Sequence, residues 1–140
     1  MPASPIKRNS IPMKSDDIMK AAGGEKPHRL FLYLPSQRKD GSAIGNFEEI
    51  ADRTAETLTE RFGGVTSYPA TGYFNSSEGI QREAVRVLEF YCPQAKLAGE
   101  QPFIWNLVLS LHAELSQESM ALSVNGSLLL FSGDREGGLL

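Results

Sequence analysis

A single cysteine, Cys92, stands in the whole chain, so no internal disulfide can form and nothing marks the sequence for an oxidising compartment. Histidine is almost as scarce. His28 and His112 are the only two, and neither has the His-x-x-x-His or Cys/His spacing that a structural zinc requires. No metal site is expected. No run approaches the roughly 18 consecutive apolar residues of a membrane-spanning helix, so no membrane partner is expected. Positive charge is in deficit: 14 Lys and Arg face 17 Asp and Glu, for a net charge of −3. That balance argues against nucleic acid as a partner, because phosphate neutralisation needs clustered cations. The opening stretch MPASPIKRNSIPMKSDDIMK is basic but lacks the apolar core of a secretory signal, which makes the cytoplasm the expected location. Gly23-Gly24 and Gly63-Gly64 match neither a P-loop nor a Gly-x-Gly-x-x-Gly pattern. No serine occupies a Gly-x-Ser-x-Gly elbow. No cofactor is expected.

What remains is an ordinary globular composition over 140 residues, enough for one domain with its own core. Residues 1–28 stand apart. They hold four prolines and the pair Gly23-Gly24, and Lys7, Arg8, Lys14, Lys20 and Lys26 outnumber Asp16, Asp17 and Glu25. The segment reads as a disordered or weakly helical basic arm, with one short helix capped by Ser15 and ended by Gly23. Residues 29–131 form the domain, and residues 132–140 read as a flexible, Gly-rich tail.

Within the domain the elements alternate. Arg29–Leu34 is an apolar strand stopped by Pro35. Residues 47–62 form a helix: Asn46 and Glu49 have capping-box spacing, and Phe47, Ile50, Ala51, Thr54, Leu58 and Phe62 make one stripe. Gly63 ends it. Val65–Phe74 is extended, and Pro69 makes it either an edge strand or a strand with a kink. The cluster Asn75–Gly79 turns the chain into a third strand, Ile80–Cys92. A second helix covers 101–115, with Pro102 in its first turn. Met120–Phe131 is extended and contains Asn125-Gly126, either a hairpin turn or a bulge in one long strand. This order predicts an α+β, ferredoxin-like βαββαβ domain: a four-stranded antiparallel sheet with two helices on one face.

Such a sheet has a second face. Phe31, Tyr33, Val85, Val87 and Tyr91 are its predicted interface residues, because an uncovered apolar face is rare in a monomer. A second copy of the chain, or a larger protein, is the expected cover.

The run Arg61-Phe62-Gly63-Gly64-Val65-Thr66, with Ala70-Thr71-Gly72-Tyr73, Gly79-Ile80, Arg82-Glu83 and Val87-Leu88, resembles a family of small bacterial proteins catalogued as a domain of unknown function. The similarity spans roughly residues 30–131, the length of one domain. Tyr73 stands where a tryptophan is usual in that family. The resemblance implies a ferredoxin-type α+β fold and carries no activity with it.

Two functional readings follow. The first is a non-catalytic interaction module that homodimerises or docks on a larger protein through its sheet face. It rests on the surplus apolar face and the missing catalytic constellation. The alternative is a small enzyme of the dimeric α+β barrel type, in which two sheets enclose a small molecule and Tyr73, Arg82, Glu83 and His112 are the candidate polar groups. Against that stands the commoner fate of such residues, which is solvent-exposed pairing for Arg82, Glu83 and Arg86 and a boundary position for His112.

Overall fold

Strand β1 (His28–Pro35) runs through the interior of the sheet because every second residue, Leu30, Leu32 and Leu34, is fully buried. The computed structural model describes residues 12–132 and 138–139. Helix α1 (Asp17–Gly23) precedes β1. Helix α2 (Phe47–Phe62), strands β2 (Thr66–Ser76) and β3 (Gly79–Cys92), and helix α3 (Leu97–Glu114) follow, then strands β4 (Met120–Val124), β5 (Ser127–Phe131) and β6 (Gly138–Leu139). The sheet order is β2-β3-β1-β4-β5-β6, and every neighbouring pair is antiparallel.

The expected four-stranded ferredoxin-like βαββαβ sheet with two helices is corrected in both layers. The chain does not end its sheet at β4. Asn125 and Gly126 take φ of 52° and 88°, the left-handed pair of a two-residue hairpin turn, and β5 pairs back along the whole of β4. The dipeptide is therefore a turn rather than a bulge, and it carries the sheet one full strand further. β6 adds two more residues against Leu129 and Leu130. Helix α1 is the third helix, at the position read from sequence, though Asp16 rather than Ser15 occupies its N-cap. The rest of the basic arm (residues 1–11) and residues 133–137 and 140 of the tail lie outside the described residues.

The turn also clamps β1. Asn125 Oδ1 accepts the Arg29 N–H at 2.8 Å, its Nδ2 lies 2.8 Å from His28 Nδ1, and its own N–H reaches the Arg29 carbonyl at 2.9 Å. Asn125→Ala leaves the Arg29 N–H without that partner and puts a side chain unsuited to positive φ in the turn. An expected loss of about 1–2 kcal/mol in urea unfolding checks this.

The core lies between one sheet face and the two long helices. Leu30, Leu32, Leu88, Phe90 and Cys92 of the sheet meet Ile50, Ala51 and Leu58 of α2 and Ile104, Val108 and Leu111 of α3. Gly63 terminates α2 at φ 90°, as expected, but Asn46 makes no side-chain cap bond. Helix α3 begins at Leu97, so Pro102 lies inside it rather than in its first turn. The carbonyl that Pro102 leaves unpaired is that of Ala98, an exposed residue open to water.

Candidate functional site

Strand alternation sends the other half of the sheet residues to the face away from α2 and α3. Down β1 these are Arg29, Phe31 and Tyr33, and down β3 they are Glu83, Val85, Val87, Glu89 and Tyr91. Tyr33 and Tyr68 stand on either side of Val87, as its register partners in β1 and β2. The rings of Phe31 and Tyr33 are stacked, with centroids 6.3 Å apart. Burial raises the Tyr33 phenol above its usual range, and the neighbouring Tyr68 adds to the effect. All five predicted interface residues therefore share this face. Val87 is already buried by its own neighbours, while Tyr91 remains about half exposed.

The two ends of the face differ in charge. At one end Glu89 is fully engaged: its Oε2 accepts Arg29 Nε and the Tyr91 hydroxyl, each at 2.9 Å. The hydrogen bond to Glu89 raises the Tyr91 phenol. The Arg29 guanidinium lies 4.7 Å over the Phe31 ring.

At the other end stands Glu83, opposite Gly72. It is half-buried, and burial pushes its carboxyl above the ordinary glutamate range, against the opposing effect of the Gln37 N–H that it accepts. Gly72 leaves room for an aromatic ring: a Cβ there would lie 2.8 Å from the Phe74 ring. Gln37 is itself held in place. Gln117 Nε2 donates to its carbonyl at 2.5 Å, and the preceding Ser36 Oγ donates to the Ala84 carbonyl at 2.5 Å. No ion pair holds Glu83 among the described residues.

The four polar groups proposed from sequence do not converge. Tyr73 and Arg82 are cross-strand partners near the exposed hairpin tip, on the face opposite Glu83. His112 lies on α3 with its ring perpendicular to Phe131, 4.9 Å between centroids. Arg86 serves structure: it joins β3 to α2 through Glu48, with Asp52 at 3.9 Å. Of the quartet only Glu83 occupies the aromatic face. Gln37, Phe74 and Gln117 are the site's additions. Eighty positions separate Gln37 from Gln117, and no local signal connects them.

A concavity lies on the helix side. A cleft of about 340 Å³ between α3 and strands β4 and β5 is lined by Trp105, Phe131 and aliphatic side chains, with Gln101 as its polar group. Trp105 meets Phe131 edge to face at 5.1 Å. Among the described residues no cluster of His, Cys, Asp or Glu could hold a metal ion, and no helix is long and apolar enough to cross a membrane.

Fold and face together define an α+β sandwich with an aromatic surface and one half-buried carboxylate free of ion pairing. The paired rings of Tyr33 and Tyr68 flank Val87, four residues along β3 from Glu83, so rings and carboxylate occupy successive rows of one face. Two solved structures share the fold. One is a phage SAM lyase in complex with S-methyl-5'-thioadenosine, with a TM-score of 0.58 and 12% identity over 79% of this chain and 93% of that one. The other is a phage SAM lyase in its apo state, with a TM-score of 0.52 and 11% identity over 77% and 90%. No family model and no curated protein matches the chain. The likeness corrects the first functional reading. Both neighbours that share the fold are lyases, and this displaces the non-catalytic module docked through its sheet face.

Proposed function

We propose that this chain is a small-molecule enzyme that cleaves a sulfonium compound of the S-adenosylmethionine (SAM) type. The observation that carries the reading is the shared fold with SAM lyase across 93% of the latter's length. The chemistry of the aromatic face supports it. A sulfonium is a cation flanked by apolar carbons. When a carbon–sulfur bond breaks, sulfur keeps the electron pair and leaves as a neutral thioether, while the carbon bonds to an oxygen nucleophile, either the substrate's own carboxylate or a water that gives up a proton. Glu83 supplies the negative charge that binds such a cation. Phe74, whose ring lies against Gly72 opposite Glu83, supplies a ring face, which attracts a cation without hydrating it, and Tyr33 and Tyr68 continue the aromatic surface further along β3. Burial that disfavours an isolated carboxylate strengthens its attraction to a bound cation. Gln37, fixed by Gln117, orients the carboxylate. A second copy of the chain facing this sheet closes the site against water and covers Phe31 and Tyr91 at the far end of the same face.

The test is direct. Purified chain at catalytic concentration is incubated with SAM, and the products are separated by chromatography. The expected result is S-methyl-5'-thioadenosine accumulating in step with SAM loss, with no methyl acceptor required. SAM left intact over many protein equivalents would overturn the reading. Light scattering on the same preparation reads the second copy, and a strict monomer that turns over SAM would remove it from the site.

A further inference from the structure

Helix α3 carries more apolar surface than the sheet can take. Ile104, Val108 and Leu111 are buried against the sheet, yet Trp105 and Leu109, one turn apart, remain 38% and 37% exposed. A helix apolar on all sides is ordinarily enclosed on all sides. Beside it β5 extends the sheet past β4, and the cleft opens there. Leu97 and Trp105 of α3, Leu30 of β1, Val124 of β4, and Leu129 and Phe131 of β5 line it.

Helix α1 has the complementary problem. None of its residues is buried, and Ile18 and Met19 are 60% and 75% exposed. Isolated helices shorter than about 12 residues are marginal in water, so this seven-residue helix gains stability only by lying on something. Its anchor is beside the cleft. His28 and Asn125 are in contact, and Leu30 and Val124, the register pair just inside them, line the cleft. The tether of residues 24–27 reaches at most about 13 Å. Helix α1 is about 10 Å long, and Leu97 to Trp105 spans about 12 Å along α3. The helix can therefore lie across the mouth of the cleft without disturbing β1. Gly24 at its C-cap leaves the helix in extended backbone, close against the Lys20 carbonyl.

We propose that α1 is a latch for the cleft behind α3, closing it by laying Ile18 and Met19 against Trp105 and Leu129 of the same chain. The described arrangement is the open form. Closure couples the folding of α1 to the burial of both orphan apolar surfaces, the usual logic of a helix in a groove. This inference is independent of Glu83 and of the proposed activity.

Trp105 is the chain's only tryptophan and reports on the cleft directly. The double variant Ile18→Lys, Met19→Lys is compared with the unaltered full chain. Acrylamide quenching of Trp105 is expected to rise about twofold as the closed population is lost, with red-shifted emission and a melting temperature lowered by about 1–4 °C. Equal quenching in the two proteins overturns the proposal. A second measurement uses Met19→Cys with Gln101→Cys under mild oxidation, Cys92 being buried and out of reach. An intramolecular cross-link on a non-reducing gel is expected. Cross-linked dimers alone would place the helix of a second copy in the cleft, and no cross-link would leave α1 without a seat there. Either outcome overturns closure within one chain.

Discussion

Exchanging Glu83 for glutamine is expected to lower the rate of S-methyl-5'-thioadenosine release about 10- to 100-fold, the worth of a charge-assisted contact to a cationic substrate. The same exchange should leave the folded chain as stable as before, or more so. Glutamine keeps an oxygen for the Gln37 N–H and carries no charge to bury. Activity and stability thus move in opposite directions, as they do when a binding site holds a group against its preference. The pH dependence sharpens the prediction. Burial raises the Glu83 carboxyl above its ordinary range, so the folded chain holds that proton more tightly than the unfolded chain. The stability tied to this proton is fully present below the ordinary glutamate value and is lost as pH rises through the raised one. Glutamine has no such proton. The melting temperature of the variant, relative to the unaltered chain, should climb across that window and level off above it. Melting curves over a pH series, run beside turnover assays, give both readouts. Unchanged turnover would remove Glu83 from the site whatever the melting curves show.

The largest expected loss of stability comes from Phe90→Ala. Phe90 is 1% exposed on β3, where it pairs with Leu30, and its ring lies 4.9 Å from that of Phe62 in the last turn of α2. Phe62 in turn meets Phe103 of α3 edge-on at 6.0 Å. The three rings form a chain from the sheet through one helix to the other. Removing the buried member leaves a cavity among side chains that are already close-packed, at a cost of about 3–5 kcal/mol. In a chain this size that lowers the melting temperature by roughly 10–20 °C. Phe103→Ala is the control. Phe103 is only half-buried under the Arg61 guanidinium, so a smaller drop is expected. Equal drops for the two variants would show that Phe90 does not link the layers.

Much of the architecture was legible from local chemistry. The stripe from Phe47 to Phe62 and the glycine at 63 gave α2 to the residue, and of the two readings Pro69 allowed for β2, edge strand or kinked strand, the sheet order has it at the edge. The sheet beyond β4 was harder to read because Asn125-Gly126 suits both a turn and a bulge. Only its pairing decides, and pairing depends on whether another strand is there to receive it. The start of α3 was set too late because Pro102 resembles a first-turn proline, and the helix instead accommodates it beside solvent. The aromatic face was visible as two-residue alternation in β1 and β3. The site within it was not. Tyr73, Arg82 and Glu83 are close in sequence, but the same alternation sends Glu83 to one face and the other two away from it. His112 was expected at the edge of an apolar stripe and packs on Phe131, which the turn at Asn125-Gly126 folds back beside β4. Gln37 reaches Glu83 from a loop whose position depends on Gln117, a contact no periodicity encodes.

The borders of the sheet also decide how copies of this chain can meet. Along β2 the pyrrolidine of Pro69 takes one donor from the outer row, and beyond β5 two residues of β6 already occupy the opposite margin. A foreign strand arriving sideways finds a broken ladder on one flank and an occupied one on the other. Filament growth by edge-to-edge addition is thereby discouraged, even though the sheet is broad and rich in side chains that favour cross-β stacking. The second copy proposed above is therefore expected to meet the flat of the sheet, where geometry permits a closed assembly of fixed size.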